Sequence, residues 1–357
     1  MFNNKSIYSK ILIEEDKNII EALNKLNAIN LDDDISRLIL FVINYNGSII
    51  GSLTDGDIRR SLIKEKNLNK KVKDICNRNF VKIYETSDYI NLKNFFNKNI
   101  LILPVLNKDN KLSRLIDLEK IKSQLPLECV IMAGGRGKRL SPLTDKLPKP
   151  MLPLGNKPII EYNIDRLISF GIKKIYITIN YLGEKIKKYF NDGSSKGVEI
   201  IYVEEKNFMG TAGSLSLIKN IKSENILLMN SDLFTDIDFE KMFLSFVNKN
   251  ADFAVASKNY VHDVPYAIID SKFKVINRIK EKPSYILKSN AGIYIFKSKL
   301  IKMIPKNKFY DITDFINYLL DNKYKLIHDE INGYWIDIGS PNEYKLAQEL
   351  IKNFKND

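Results

Sequence analysis

From Glu128 onward, apolar residues fall in short dense runs separated by stretches of helical periodicity. CVIMA (129–133), KIYITIN (174–180), VEIIYV (198–203), NILLMN (225–230) and DFAVAS (252–257) are such runs. Their length and β-branched content predict strands buried on both faces. Between them, IIEYNIDRLISFG (159–171) spaces its apolar residues for one helix face and ends in a glycine C-cap. Strands alternating with helices in this way predict a parallel, doubly wound α/β sheet. The later runs YAIID, AGIYIF and YWIDIG are less regular and admit an antiparallel part.

Ahead of Glu128 the pattern changes. ILIEEDKNIIEALNKLN through FVINYNGSIIGSLTDGDIRRSLI predicts strand, amphipathic helix, strand, a turn at Asn46-Gly47, strand, and a helix opening near Asp55. FVKIYETSDYINLKNFFNKN through ILILPVLNKDNKLSRLIDLEKIKSQL repeats that order, with its turn at Lys108-Asp109-Asn110. Two such units in tandem predict an internal duplication, with repeats at about 1–65 and 66–125. Pro126 ends the last, Lys-rich helical stretch, and the buried strand Glu128–Ala133 follows. The expected domains are therefore 1–125 and 128–357.

Composition narrows the function classes. With 357 residues, more than one core is expected. The net charge of +13 is spread evenly: 21 Lys and Arg against 16 Asp and Glu in 1–125, and 35 against 27 beyond. No basic stripe stands out, so a solvated surface is expected rather than a nucleic-acid or membrane face. Cys76 and Cys129 are too few and too far apart for a disulfide framework or zinc site, and point to a reducing, cytoplasmic setting. MFNNKSIYSK lacks the apolar stretch of a secretion signal, and LILFVI (38–43) is too short to span a bilayer.

The candidate chemistry begins at MAGGRGKRLSPLTDKLPKPM (132–151). This loop follows a buried strand, where α/β sheets bind ligands. Gly134, Gly135 and Gly137 allow backbone N–H groups to approach an anion, and Arg139 and Lys149 add fixed charge. Pro148 and Pro150 restrict the chain around Lys149. No Gly-Lys-Ser/Thr closes the loop, and Leu140 stands where a dinucleotide fingerprint has its third glycine.

GGRGKRLSPLTDKLPKPM resembles the signature of the sugar-1-phosphate nucleotidyltransferases. The resemblance continues through EEKNFMGTAGSL (204–215), LMNSD (228–232), EKP (281–283), NAGIYIF (290–296), DITDFI (311–316) and WIDIGSPNEY (335–344). Lys138 departs from the family, which has Thr or Ser before the arginine. The resemblance implies that a nucleoside triphosphate and a sugar 1-phosphate give a nucleotide-sugar and pyrophosphate. A phosphate monoester is already an anionic nucleophile, so positioning and charge neutralisation suffice. His262 and His328, the only two histidines, lie outside these motifs. The resemblance further implies Mg²⁺ on Asp232 and Asp337, the triphosphate on Arg139, and the phosphates at the reacting centre on Lys149. Lys282 would take the sugar phosphate and Glu281 sugar hydroxyls, with Gly210 and Asn290 lining the sugar pocket. Ala133, Gly134, Gly135, Gly137 and Asn180 would meet the nucleotide.

GSLTDGDIRR (51–60) and LPVLNKDNKL (103–112) resemble the two repeats of a CBS domain pair. That implies an adenine nucleotide at Thr54 and Asp57, or assembly alone with Asp57 only capping its helix. In the second repeat Asp117 and Lys120 occupy the matching positions, so that site reads as degraded. The expected architecture is thus a Rossmann-like nucleotidyltransferase domain preceded by a tandem CBS pair, assembled as a homo-oligomer. This order, with NSD and GTAG, resembles the CBS-bearing glucosamine-1-phosphate guanylyltransferases of bacterial legionaminic acid synthesis, which implies GTP and glucosamine 1-phosphate. Mannose-1-phosphate guanylyl transfer, cytidylyl transfer to phosphocholine, and a nucleotide-sensing subunit without turnover remain open.

Overall fold

The computed structural model describes residues 5–29, 35–85, 100–119 and 123–353. The chain divides into two compact units: Met1–Pro126 with Leu167–Lys173 and Ser195–Val198, and Leu127–Arg166, Lys174–Ser194 and Glu199–Asp357.

In the first unit, β1 (Leu12–Glu14) runs parallel to β2 (Ile39–Ile43), which pairs antiparallel with β3 (Ile49–Thr54). Helix Ile19–Asn27 begins at Asn18, whose side chain accepts from the Glu21 N–H while Glu21 accepts from the Asn18 N–H. This reciprocal cap fixes the helix start, and Ile19, Ala22 and Leu26 carry its buried face. β4 (Ile83–Tyr84), β5 (Ile102–Leu106) and β6 (Leu112–Asp117) repeat the parallel-then-antiparallel order. The helix expected over DYINLKNFFNKN falls within 86–99, outside the described residues, as does Lys120. The Lys-rich helix expected before Pro126 falls partly on 120–122, outside the described residues; to either side, Leu118–Glu119 form a turn and Ser123–Pro126 carry no helix. The Asp117 carboxylate accepts from the Glu119 N–H at 3.1 Å, closing a side-chain turn that competes with helix.

The second unit opens with β7 (Leu127–Met132), then a small hairpin of β8 (Pro153–Leu154) and β9 (Lys157–Pro158), and helix Ile159–Ser169. There follow β10 (Lys174–Ile179), β11 (Glu199–Glu204), β12 (Asn225–Asn230), β13 (Leu233–Thr235), β14 (Phe253–Asp263), β15 (Ile268–Lys272), β16 (Val275–Lys280), β17 (Ser284–Lys297), β18 (Leu326–Glu330) and β19 (Trp335–Asp337). The main sheet has the order β11-β10-β7-β12-β17-β14-β18. The first four are mutually parallel, and β17 is antiparallel to both its neighbours. From β7 the chain steps outward to β10 and β11, then returns to place β12 on the other side of β7. The sheet order therefore reverses between β7 and β12, and a crevice forms beyond their carboxyl ends.

Aromatic packing holds this sheet. Phe253 of β14 stacks on Phe296 of β17 at 5.1 Å and meets Phe315 of helix Ile312–Asp321 edge-on at 6.1 Å. All three rings are fully buried, each worth on the order of 2–3 kcal/mol. β14 and β17 outrun their expected lengths. Their inner halves are buried, but their outer halves, from Tyr260 to Asp263 and Ser284 to Lys288, continue as an exposed paired ribbon. No helix among the described residues is long and apolar enough to cross a membrane.

Candidate active site at the switch point

β7 delivers Ala133 and the glycine loop to the crevice. Gly137 has φ +61°, and a Cβ there would come 2.9 Å from the Lys149 Cβ. Glycine is thus required both for the left-handed backbone and for the approach of Lys149. The Thr144 hydroxyl donates to the Gly137 carbonyl at 2.9 Å and fixes the loop's return. Lys149 is 9% exposed. Arg139 lies over Gly339, where a Cβ would be 3.2 Å from the guanidinium.

The two aspartates are joined by a small antiparallel pairing. β13 pairs with β19, Leu233 opposite Asp337, and the Ile338 N–H donates to the Asp232 carbonyl at 3.0 Å. Asp232, at the turn after β12, therefore faces the end of β19. The Lys149 ammonium donates to the Asp232 carboxylate and stands 3.9 Å from Asp337 Oδ1. Burial pushes the Asp337 carboxyl above its ordinary range, and the Asp232 charge pushes it further. Lys149 and Arg139 oppose that shift. Two mutually repelling carboxylates with one ammonium between them form a hard-oxygen site in need of positive charge. Mg²⁺ is commonly held by one or two carboxylates completed by substrate phosphates, so this pair fits such an ion. Among the described residues no group of three or more His, Cys, Asp or Glu is placed to hold a metal.

Around these groups opens a cavity of about 310 Å³. Gly134, Gly135, Gly137, Arg139, Lys149, Gly210 and Asp232 line it. Ala133 is buried behind the loop, and Asp337 reaches the cavity's charge through Lys149. Asn180 does not line it; its amide donates to the Glu205 carbonyl at 2.6 Å and so anchors a lining residue. Asn290 does not line it either and is exposed. Its Oδ1 accepts from the Gly292 N–H at 3.0 Å, and a Cβ on Gly292 would be 2.6 Å from Asn230 Nδ2. Gly210, at φ +76°, packs where a Cβ would meet the Tyr310 carbonyl at 2.7 Å. The Ala212 and Gly213 N–H groups donate to that same carbonyl, and the Thr211 hydroxyl accepts from the Ile312 N–H at 2.8 Å. GTAG and DITDFI are thus two halves of one packing unit.

Glu281 and Lys282 are the exception. Both are exposed, at the outer end of the ribbon, and neither lines the cavity. Lys282 is eight residues from Asn290 along an extended strand, roughly 27 Å. The expected convergence fails because β14 and β17 stay paired to Asp263 and Ser284 and hold the turn away from the body. Conversely, Glu205, Phe208, Thr211, Ser231 and Gly339 line the cavity without having been singled out. Glu205 stands in EEKNF, which reads as solvated charge, yet it is 6% exposed.

In the first unit, Thr54 lines a cavity of about 720 Å³ with Ser52, Asn77, Phe80 and Arg37. Asp57 does not line it. Its Oδ2 accepts from the Thr54 N–H at 2.8 Å and hydroxyl at 2.7 Å, and its Oδ1 accepts from Arg60 at 2.5 Å. The carboxylate expected to meet an adenine nucleotide is closed into a helix cap. Asp117 is 2% exposed and accepts from the Ser36 N–H at 2.8 Å and hydroxyl at 2.6 Å, so the second-repeat position is filled from within.

Residues 128–353 match the nucleotidyl transferase family, and residues 6–64 match the CBS domain. The chain belongs to the nucleotidyl transferase family. Among its relatives, D-glycero-alpha-D-manno-heptose 1-phosphate guanylyltransferase of Aneurinibacillus thermoaerophilus is 30% identical over 233 residues, covering 64% of this chain and 100% of the relative. Mannose-1-phosphate guanylyltransferase catalytic subunit beta of Xenopus tropicalis is 28% identical over 226 residues. That match covers 61% of this chain and 62% of the relative's length. A solved Bacillus anthracis structure assigned as a glucose-1-phosphate thymidylyltransferase superposes with a TM-score of 0.52 at 25% identity. It covers 63% of this chain and 94% of its own. The α/β sheet is therefore a nucleotidyltransferase fold, with a CBS domain ahead of it.

Proposed function

We propose that this nucleotidyl transferase family member moves a guanylyl group from GTP to a sugar 1-phosphate, releasing pyrophosphate. The observation that carries the reading is the meeting of Arg139, Lys149, Asp232 and Asp337 around one glycine-lined cavity at the sheet's switch point. Guanylyl transfer is favoured because two relatives of this chain are named as sugar-1-phosphate guanylyltransferases. Glucosamine 1-phosphate as acceptor, and a product destined for legionaminic acid, rest on the CBS-then-transferase order. Mannose or heptose 1-phosphate is the second reading, favoured by the names of those same relatives.

In this mechanism the Gly134–Gly137 backbone receives the nucleotide and Arg139 takes the outer phosphates. Lys149 sits at the reacting centre, where it neutralises charge building on the α-phosphate. A phosphate oxygen of the sugar 1-phosphate attacks that phosphorus, the bond to the β-phosphate oxygen breaks, and pyrophosphate leaves with the electron pair. No proton need be removed from the nucleophile. Asp232 and Asp337 would hold Mg²⁺, which when bound supplies Lewis-acid stabilisation of the phosphoryl oxygens. Glu281 and Lys282 can serve this cavity only if the ribbon bends back, and the register break between Val255 and Ser257 is the place for it. The cavity beside Thr54 is proposed as the site of a regulatory adenine nucleotide.

The test is pyrophosphate release with a matrix of nucleoside triphosphates and sugar 1-phosphates in the presence of Mg²⁺. Turnover of GTP with glucosamine 1-phosphate is expected. Turnover with UTP alone removes the guanylyl assignment, and none with any pair removes the transferase reading.

A further inference from the structure

The ribbon beyond the main sheet carries apolar side chains that the described residues leave uncovered. Every residue from 265 to 282 except Pro283's neighbours in the ribbon proper is solvent-facing: none of 265–282 is buried or half-buried. Ten apolar side chains between Tyr260 and Leu287 are each more than half exposed. At roughly 100 Å² apiece they present on the order of 1,000 Å² of apolar surface. The largest apolar patch on a typical monomer is about 300–600 Å², and a stable dimer buries about 800 Å² per partner. The hairpin of β15 and β16 at the ribbon's outer end is also one-sided. Ile269 lies opposite Ile279 and Ser271 opposite Ile276, so three isoleucines share one face. Asp270 lies opposite Arg278, and Ile268 opposite Lys280, on the other. Two strands with a bare apolar face are marginal in water by themselves.

The ribbon also has an open edge. β14 pairs with β18 from Phe253 to Ser257, but from Lys258 to Asp263 its one described neighbour is β17. The other edge of that half-strand offers its N–H and C=O groups to a new strand. From Asn259 to Asp263 it carries no lysine or proline, the usual defences of an edge. Val261 and Ile286 are exposed on one side of the ribbon, and Tyr260 and Leu287 on the other. A flat membrane surface would cover only one of those sides, whereas a protein partner can embrace both.

Charge favours a second copy as that partner. The outer hairpin is basic, with Lys272, Lys274, Arg278 and Lys280 against Asp270. Where the ribbon leaves the sheet the surface is acidic. Asp236, Asp238, Asp329 and Glu330 line a cavity of about 110 Å³ there, with Lys241 the one base among its lining residues. Asp329 and Glu330 end β18 opposite Ala256 and Ser257. Asp236 Oδ1 and Asp329 Oδ2 are buried, with no hydrogen-bond donor among the described residues. A strand laid antiparallel to its own copy about a twofold axis brings the outer end of each to the inner end of the other. The basic hairpin of each copy then meets the acidic cavity of its partner, and the contact is made twice.

We infer that the ribbon is a self-association arm. β14 of one copy pairs antiparallel with β14 of a second about an axis near Val261, and each hairpin lies at the other copy's acidic cavity. Pairing in this way and bending back over the chain's own catalytic cavity are mutually exclusive positions of the ribbon.

The test uses the full chain. Val261→Cys, beside the axis, should give an interchain disulfide under mild oxidation, seen as a doubled mass on a non-reducing gel. Wild type and Leu346→Cys, which is exposed outside the ribbon, should not. Sedimentation velocity should show self-association of the wild type at micromolar concentration. Arg278→Glu and Glu330→Lys should each raise the dissociation constant by about tenfold or more, and the double variant should recover most of that loss. Recovery by the charge swap separates a direct contact from damage to folding. A chain that stays monomeric, or that instead floats with phosphatidylserine vesicles, overturns the inference. So does association that neither charge variant weakens and that leaves Val261→Cys uncrosslinked, because it then belongs to another surface.

Discussion

Lys149→Met tests the arrangement at the centre of the site. The substitution keeps the length of the stem but removes the ammonium that Asp232 and Asp337 share. Breaking a buried ion pair costs about 3–5 kcal/mol because a charge is left unpaired. Here the side chains of Asp232 and Asp337 are 19% and 43% exposed, so water recovers part of that. About 2 kcal/mol remains, which for a domain of this size lowers Tm by about 4–8 °C. The sign with pH follows from Asp337, whose carboxyl is raised in the fold. A raised acid contributes stability that is fully present below its unfolded pKa and lost as pH rises through its folded pKa. Losing Lys149 raises that carboxyl further, so the gap between variant and wild type should narrow as pH falls from about 7 to about 5. Mg²⁺ should stabilise the variant more than the wild type, since the ion replaces the missing charge. Differential scanning fluorimetry over pH and Mg²⁺ concentration measures all three effects. A variant melting within about 1 °C of wild type at neutral pH, with equal Mg²⁺ shifts, refutes the shared-cation arrangement.

Other expectations are more local. Asp232→Ala should abolish Mg²⁺-dependent turnover, a loss of at least about 100-fold, while far-ultraviolet circular dichroism stays unchanged. Gly292→Ala puts a Cβ 2.6 Å from Asn230 Nδ2 at φ +71°, and should destabilise the chain by about 1–2 kcal/mol in urea titrations. Asp57→Ala removes the N3 half of the capping box begun by Thr54, and should cost about 0.5–1 kcal/mol but leave AMP affinity of the full chain within about twofold by calorimetry. Lys282→Ala should raise KM for the sugar 1-phosphate if the ribbon bends back during the reaction, and an unchanged KM would count against that movement.

Much of the architecture could be read from the chain, for identifiable reasons. β7, β10 and β12 are buried on both faces, so their sequences are almost uninterrupted apolar runs. Asp232 and Asp337 were picked out by the resemblance of LMNSD and WIDIGSPNEY and not by burial, since Asp232 follows β12 and Asp337 ends the half-buried β19. The outer halves of β14 and β17 were not legible, since an exposed ribbon with Tyr260, Lys288 and Ser284 carries no periodic burial to read. That omission is also why Glu281 and Lys282 were expected in the cavity: the motif specifies a turn, but not the length of the strands carrying it. Glu205 escaped notice because burial of a lone acid depends on contacts from β10 and the glycine loop, far away in sequence. Asp57 shows the opposite failure. Its spacing from Thr54 suits a ligand and a capping box equally, and only the hydrogen bonds decide between them.

The bond from Ser36 to Asp117 spans 81 residues, and Ile102, Leu106 and Leu115 complete the core around Ile13 and Phe41. The first repeat therefore cannot finish its interior until the last strand of the second exists. On a translating ribosome it must wait, part-formed, while the intervening chain is made. The pair should appear as a single cooperative step once β6 has left the exit tunnel, and a chain halted before Leu112 should remain open to proteases and chaperones.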